Sequence, residues 1–94
     1  MATFFLFGKY DQAALKKVSA KRTSEGHDII AQLGGSVKSE YALLGEHDIV
    51  LIVDLPGVEE AMKASLRLAK LTGIGFTTSP AVSIADFDRI ATEK

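Results

Sequence analysis

Two short stretches of this chain are apolar at nearly every position. Residues 3–9 read TFFLFGK and residues 48–54 read DIVLIVD. Neither is long enough for a stable helix, and both are rich in aromatic or β-branched side chains. Each therefore reads as a strand buried on both faces. A chain with two such strands must supply cover for both sides of a sheet, and that demand governs everything else in the reading.

The segments around these runs follow other periods. Asp11 stands where a helix N-cap belongs. Leu15, Val18, Arg22, Gly26, Ile29, Ile30 and Leu33 then fall on one helical stripe. The stripe is interrupted midway, where Ser19 or Ser24 can start a second helical segment, and Gly34 and Gly35 close it. Residues 36–43 (SVKSEYAL) alternate, with Val37, Tyr41 and Leu43 on one side and Lys38, Glu40 and Ala42 on the other. That pattern is a half-buried strand, joined by a turn over residues 44–47 to the second apolar run. Pro56 and Gly57 break that run. Val58, Ala61, Met62, Leu66 and Ala69 give a second helix its apolar stripe, opposite Glu59, Lys63, Arg67 and Lys70. Gly73 ends it. Residues 74–79 (IGFTTS) form the fourth strand, with Pro80 just beyond its end. A short C-terminal helix follows, with Ser83 and Asp86 at its start and Ile84, Phe87, Ile90 and Ala91 as its apolar stripe.

The order predicts an α+β fold, a ferredoxin-like βαββαβ antiparallel sheet of order 4-1-3-2 with a C-terminal helix, and one domain over residues 1–94. The continuous apolar runs fall on the two central strands and the mixed ones on the edges. Both crossover helices pack on the same sheet face, so the other face is open. The central strands are apolar at both parities, and burial of each such side chain contributes about 1.5–3 kcal/mol. Monomers rarely leave a patch of that kind in water. The expected cover is another copy of the chain, as a homodimer or larger homo-oligomer. The alternative cover is the C-terminal helix, which is too short to hide more than part of the face. Which parity of strand 1 meets the helices is left open.

Composition narrows the function classes. With 11 Lys and Arg against 12 Asp and Glu, the net charge is −1, which argues against electrostatic binding of nucleic acid or anionic membrane. There are no cysteines and only two histidines, so thiol chemistry and a three-His metal site within one chain are excluded. No cofactor or metal is expected. No stretch approaches the roughly 20 apolar residues of a membrane span. The apolar N-terminus lacks a basic region and a cleavage site, so the expected compartment is the cytoplasm.

The opening F-x-L-x-G-K-Y, the L-G-G that ends the long helix, the S-V-K-S-E-Y-A-L-L-G-E-H-D hairpin and the I-V-L-I-V-D-L-P strand resemble the GYD-domain family. The resemblance covers nearly the whole chain. It implies a small bacterial protein of ferredoxin-like, dimeric α/β-barrel type, and it implies no particular reaction. The family motif is a Gly, one residue, then Tyr-Asp. Gly45 and Asp48 match it, and His47 stands in place of the tyrosine. The phenol hydroxyl is lost there and replaced by a polar ring that is able to hydrogen-bond.

In this topology Lys9, Tyr10, His47 and Asp48 converge at one end of the sheet, with Tyr41 and the start of strand 4 nearby. The set suffices for acid/base work, with His47 as proton carrier, Asp48 or Lys9 tuning it and Tyr10 beside it. The favoured, simpler reading is a Lys9–Asp48 cross-strand ion pair with His47 as a turn residue. Arg22 can reach a carboxylate or phosphate; the favoured reading is that it snorkels or marks the helix break. Candidate ligand contacts are thus Lys9, Tyr10, Arg22, Tyr41 and His47. His27 reads as a surface histidine and Gly26 as a point of close helix–sheet approach.

Three functions fit. The first is a homo-oligomeric module that binds a small molecule or acts as a sensory or regulatory subunit. The second is a cofactor-free enzyme, monooxygenase- or isomerase-like, using His47 and Tyr10. The third is a purely structural oligomer.

Overall fold

A computed structural model describes residues 1–93. Four antiparallel strands, β1 (Ala2–Gly8), β2 (Ser36–Ala42), β3 (Ile49–Leu55) and β4 (Phe76–Ala81), form one sheet in the order β2-β3-β1-β4. This is the expected order read from the other edge. The helices are α1 (Gln12–Lys16), α2 (Ala20–Gln32), α3 (Val58–Thr72) and α4 (Ile84–Thr92). The interrupted first stripe is thus two helices. Asp11 caps α1 by accepting from the Ala14 amide, and Ser19 caps α2 by accepting from the Arg22 amide at 3.0 Å. Because the break changes the helical phase, Ala14 is buried where the stripe had placed Leu15, which is exposed.

The even residues of β1 face the helices. Phe4 pairs with Val53 and Leu6 with Leu51, and these four join Ile30, Leu55, Ala61, Ala64 and Leu68 in the core. On the opposite face Phe5 pairs with Ile52 and Phe7 with Val50. The apolar stripe of α3 differs from the expected one. Ala61, Ala64 and Leu68 point inward, while Val58, Met62 and Leu66 are exposed. Alanine at the buried positions lets the helix approach the sheet closely, and the larger side chains stand outside, above the β4 edge.

Two features set the strand ends. Gly34 adopts a left-handed φ of 82° after α2, and a Cβ on Gly35 would collide with the Asp54 carbonyl oxygen. This pair both ends the helix and lets β2 lie against the end of β3. β4 begins two residues later than expected and runs through Pro80. A proline costs little there because β4 is an edge strand.

β2 carries a register shift between Val37 and Ser39. Lys38 is the extra residue of this bulge. Val37 pairs with Val53 on the helix side, whereas Tyr41 pairs with Val50 on the open side. The expected common face for Val37 and Tyr41 is therefore corrected, because a bulge inverts strict alternation.

The open face remains uncovered. Its centre is Phe5, Phe7, Val50 and Ile52, and its rim includes Tyr41, 59% exposed, and the Lys38–Asp54 pair at 3.9 Å. Thr3 donates to Asp54 at 2.7 Å. α4 does not fold across it. That helix buries none of its residues, and Ile84, Phe87 and Ile90 are exposed. The radius of gyration is 14.1 Å, against about 12–13 Å for a compact chain of this length.

Candidate functional site

The end of β1 and the start of β3 meet as the topology requires. The Asp48 amide donates to the Gly8 carbonyl at 2.8 Å, and the Leu43 amide donates to the Asp48 carbonyl at 2.8 Å. One Asp48 oxygen accepts from the Tyr10 amide at 2.8 Å, and Lys9 Nζ lies 3.8 Å from that same oxygen. Lys9 also donates to the Gly45 carbonyl at 3.4 Å. The Asp48 carboxylate thus holds the turn after β1 onto the β2–β3 hairpin.

The side chains gathered at this end then part. The His47 ring packs on Phe7 with 4.9 Å between centroids, on the open side. Tyr41 is on that side too. The Tyr10 ring instead turns toward the helices, where the Arg22 guanidinium carbon stands 5.6 Å from its centroid. His47 and Tyr10 therefore share no cavity, and the sheet edge lies between them.

Tyr10 and Arg22 are among the residues that line a cavity of about 40 Å³ under α2 and α3. Its walls are mainly apolar and include Leu51, Leu68 and Phe76, with Glu40 among the polar groups. Arg22 Nη1 donates to the Ala14 carbonyl at 3.0 Å and so bridges the break between α1 and α2. Gly26 also lines the cavity. A Cβ there would sit 3.4 Å from Leu68 Cδ2, so the close approach at Gly26 is to α3 rather than to the sheet.

His27 has a partner that sequence spacing had not supplied. Its Nε2 lies 2.9 Å from Glu40 Oε1. The bulge keeps Glu40 on the helix side, opposite Leu51. Residues 38–40 are three successive polar positions in an alternating strand, and that break in rhythm was the one signal of it. Among the described residues, no three His, Asp or Glu side chains gather as a metal site. No helix among the described residues is long and apolar enough to cross a membrane.

One sheet with helices on a single face is the ferredoxin-like α+β arrangement. It is similar to the solved structure of the Mycobacterium tuberculosis leucine response regulatory protein (LrpA), with a TM-score of 0.57 and 11% identity. That match covers 87% of this chain and 51% of the other, so the chain spans about half the length of the protein it resembles. Residues 4–91 match the GYD domain, and the chain belongs to that family. No curated protein matches it in sequence.

Proposed function

We propose that the chain is a small self-associating module that binds a small molecule or serves as a sensory or regulatory subunit, with the open sheet face as its contact with a second copy. The observation that carries this reading is the apolar centre of that face, where Phe5, Phe7 and Ile52 are left half-buried around a buried Val50. Four strands of about seven residues make a flat face of roughly 450 Å². A stable interface takes roughly 800 Å² from each partner, and the exposed apolar stripe of α4 extends the surface from the rim. The edges of the sheet are poor alternatives. β2 carries the bulge at Lys38 and β4 carries Pro80, features that blunt edge-to-edge pairing.

The sensory part of the reading is supported by fold analogy with the leucine response regulatory protein alone. An acid/base enzyme built on His47 and Tyr10 needs both in one pocket, and the geometry gives that reading no support. Light scattering and sedimentation of the full chain test self-association. A dimer or larger oligomer is expected at micromolar concentration, shifted toward monomer by Ile52→Lys. A monomer throughout that range overturns the proposal.

A further inference from the structure

We infer that the cavity under α2 and α3 is a binding site for a short-chain monocarboxylate, with the Arg22 guanidinium as its anion-recognition group. This rests on the small-molecule part of the function proposed above and gives that ligand a chemical class. Arg22 is placed for the task and underused. An arginine carries five N–H donors, and the side chain makes one hydrogen bond, to the Ala14 carbonyl. None of the ion pairs among the described residues includes it. The Ala14 bond and the Tyr10 ring, 5.6 Å from the guanidinium carbon, fix the plane of the group from two directions. The remaining fork of donors matches a carboxylate in bidentate geometry.

Three further features select the rest of the ligand. The walls behind the guanidinium are the apolar side chains of Leu51, Leu68 and Phe76, so the body of the ligand is apolar. One water-sized centre needs about 10–15 Å³. A cavity of about 40 Å³ therefore takes roughly three non-hydrogen atoms behind a carboxylate held by Arg22. That is the size of butyrate or a close branched relative. Glu40 is the one acidic group on the lining, and its Oε1 is engaged by His27 at 2.9 Å. Its second oxygen is the contact through which an amino acid's ammonium would be told from a simple acid, and the probes below separate the two.

The test is an NMR titration of the amide resonances of the full chain with sodium butyrate, butanamide, butylammonium and valine. Butyrate is expected to move the Thr23, Gly26, Leu71 and Thr72 amides saturably in the millimolar range, while butanamide does not. Arg22→Gln loses the charged fork, together with the reach to the Ala14 carbonyl, and weakens butyrate by about tenfold or more. Gly26→Ala adds a methyl group to the cavity wall without touching the guanidinium, suits a helix, and is expected to weaken butyrate as well. Unchanged amide positions along β1 and β3 in both variants show that the fold is intact. Butyrate shifts of equal size in Arg22→Gln overturn the inference, as does binding of valine or butylammonium without butyrate. The latter result leaves a small-molecule site in place with a different ligand class. Silence from all four probes removes the ligand from this cavity altogether, and the self-association test stands apart from either outcome.

Discussion

The two faces of this sheet are built from neighbouring residues of the same strands and end in opposite conditions. Leu6 is fully buried beneath the helices, while Phe5 and Phe7 on either side of it face outward and are half-buried. The helix-side face is closed by small residues, Ala61 and Ala64, that draw α3 down onto it. The open face has aromatic and β-branched side chains of similar bulk and no helix over them, only the His47 ring against Phe7. Hydrophobic content alone therefore does not separate a core from an interface. The difference lies in whether the same chain carries an element to lay across it.

The contrast can be tested by substitutions on either side of one strand. The largest effect is expected from Leu6→Ala, which deletes a fully buried side chain and costs about 2–5 kcal/mol in denaturant unfolding. That loss is the same at every protein concentration. Phe5→Ala, one residue away, is expected to cost less as the protein is diluted, because part of its burial comes from the second copy. Equal and concentration-independent losses at both positions would erase the distinction between the faces.

A step smaller, Gly35→Ala pushes a methyl group against the Asp54 carbonyl and is expected to lower stability by about 1–3 kcal/mol. The loss should appear as a lower thermal midpoint. Asp48→Ala removes the acceptor for the Tyr10 amide and the Lys9 partner. Both are partly in water, so the cost is about 1 kcal/mol, read in the same melt. It should fall on the β1–α1 turn, as faster amide exchange at Tyr10. Least of all, Phe87→Ser on α4 leaves unfolding within about 0.5 kcal/mol. Its effect belongs to association, and sedimentation should show weaker self-assembly. A large stability loss at Phe87 would place α4 with the core instead of with the open face.

Much of this was legible in the residues. The continuous runs over residues 3–9 and 48–54 marked the central strands because they are apolar on both faces. Asp11 and Ser83 marked helix starts through cap chemistry that is local to a few residues, and of Ser19 and Ser24 it is Ser19 that caps α2. What escaped was set by contacts between distant segments. The stripe of α3 was misjudged because apolar periodicity does not say whether the large or the small residues turn inward. Close packing against the sheet decided for Ala61 and Ala64. The candidate site was legible only in part. Lys9 and Asp48 do meet, but Tyr10 and His47 sit on opposite sides, since the turn after β1 carries Tyr10 toward α2. The His27–Glu40 contact depends on a bulge, and bulges leave only a faint trace in sequence.

Lys38 has a meaning for how this chain can vary in length. Because the bulge absorbs it, every residue of β2 after it occupies the side it would have in an uninterrupted strand one residue shorter. Loss of position 38 would leave Val37 and Glu40 toward the helices and Ser39 and Tyr41 away from them. β2 can thus lose one residue at the bulge and keep Val37 and Glu40 inward and Tyr41 outward, at the cost of the Lys38–Asp54 pair on the rim.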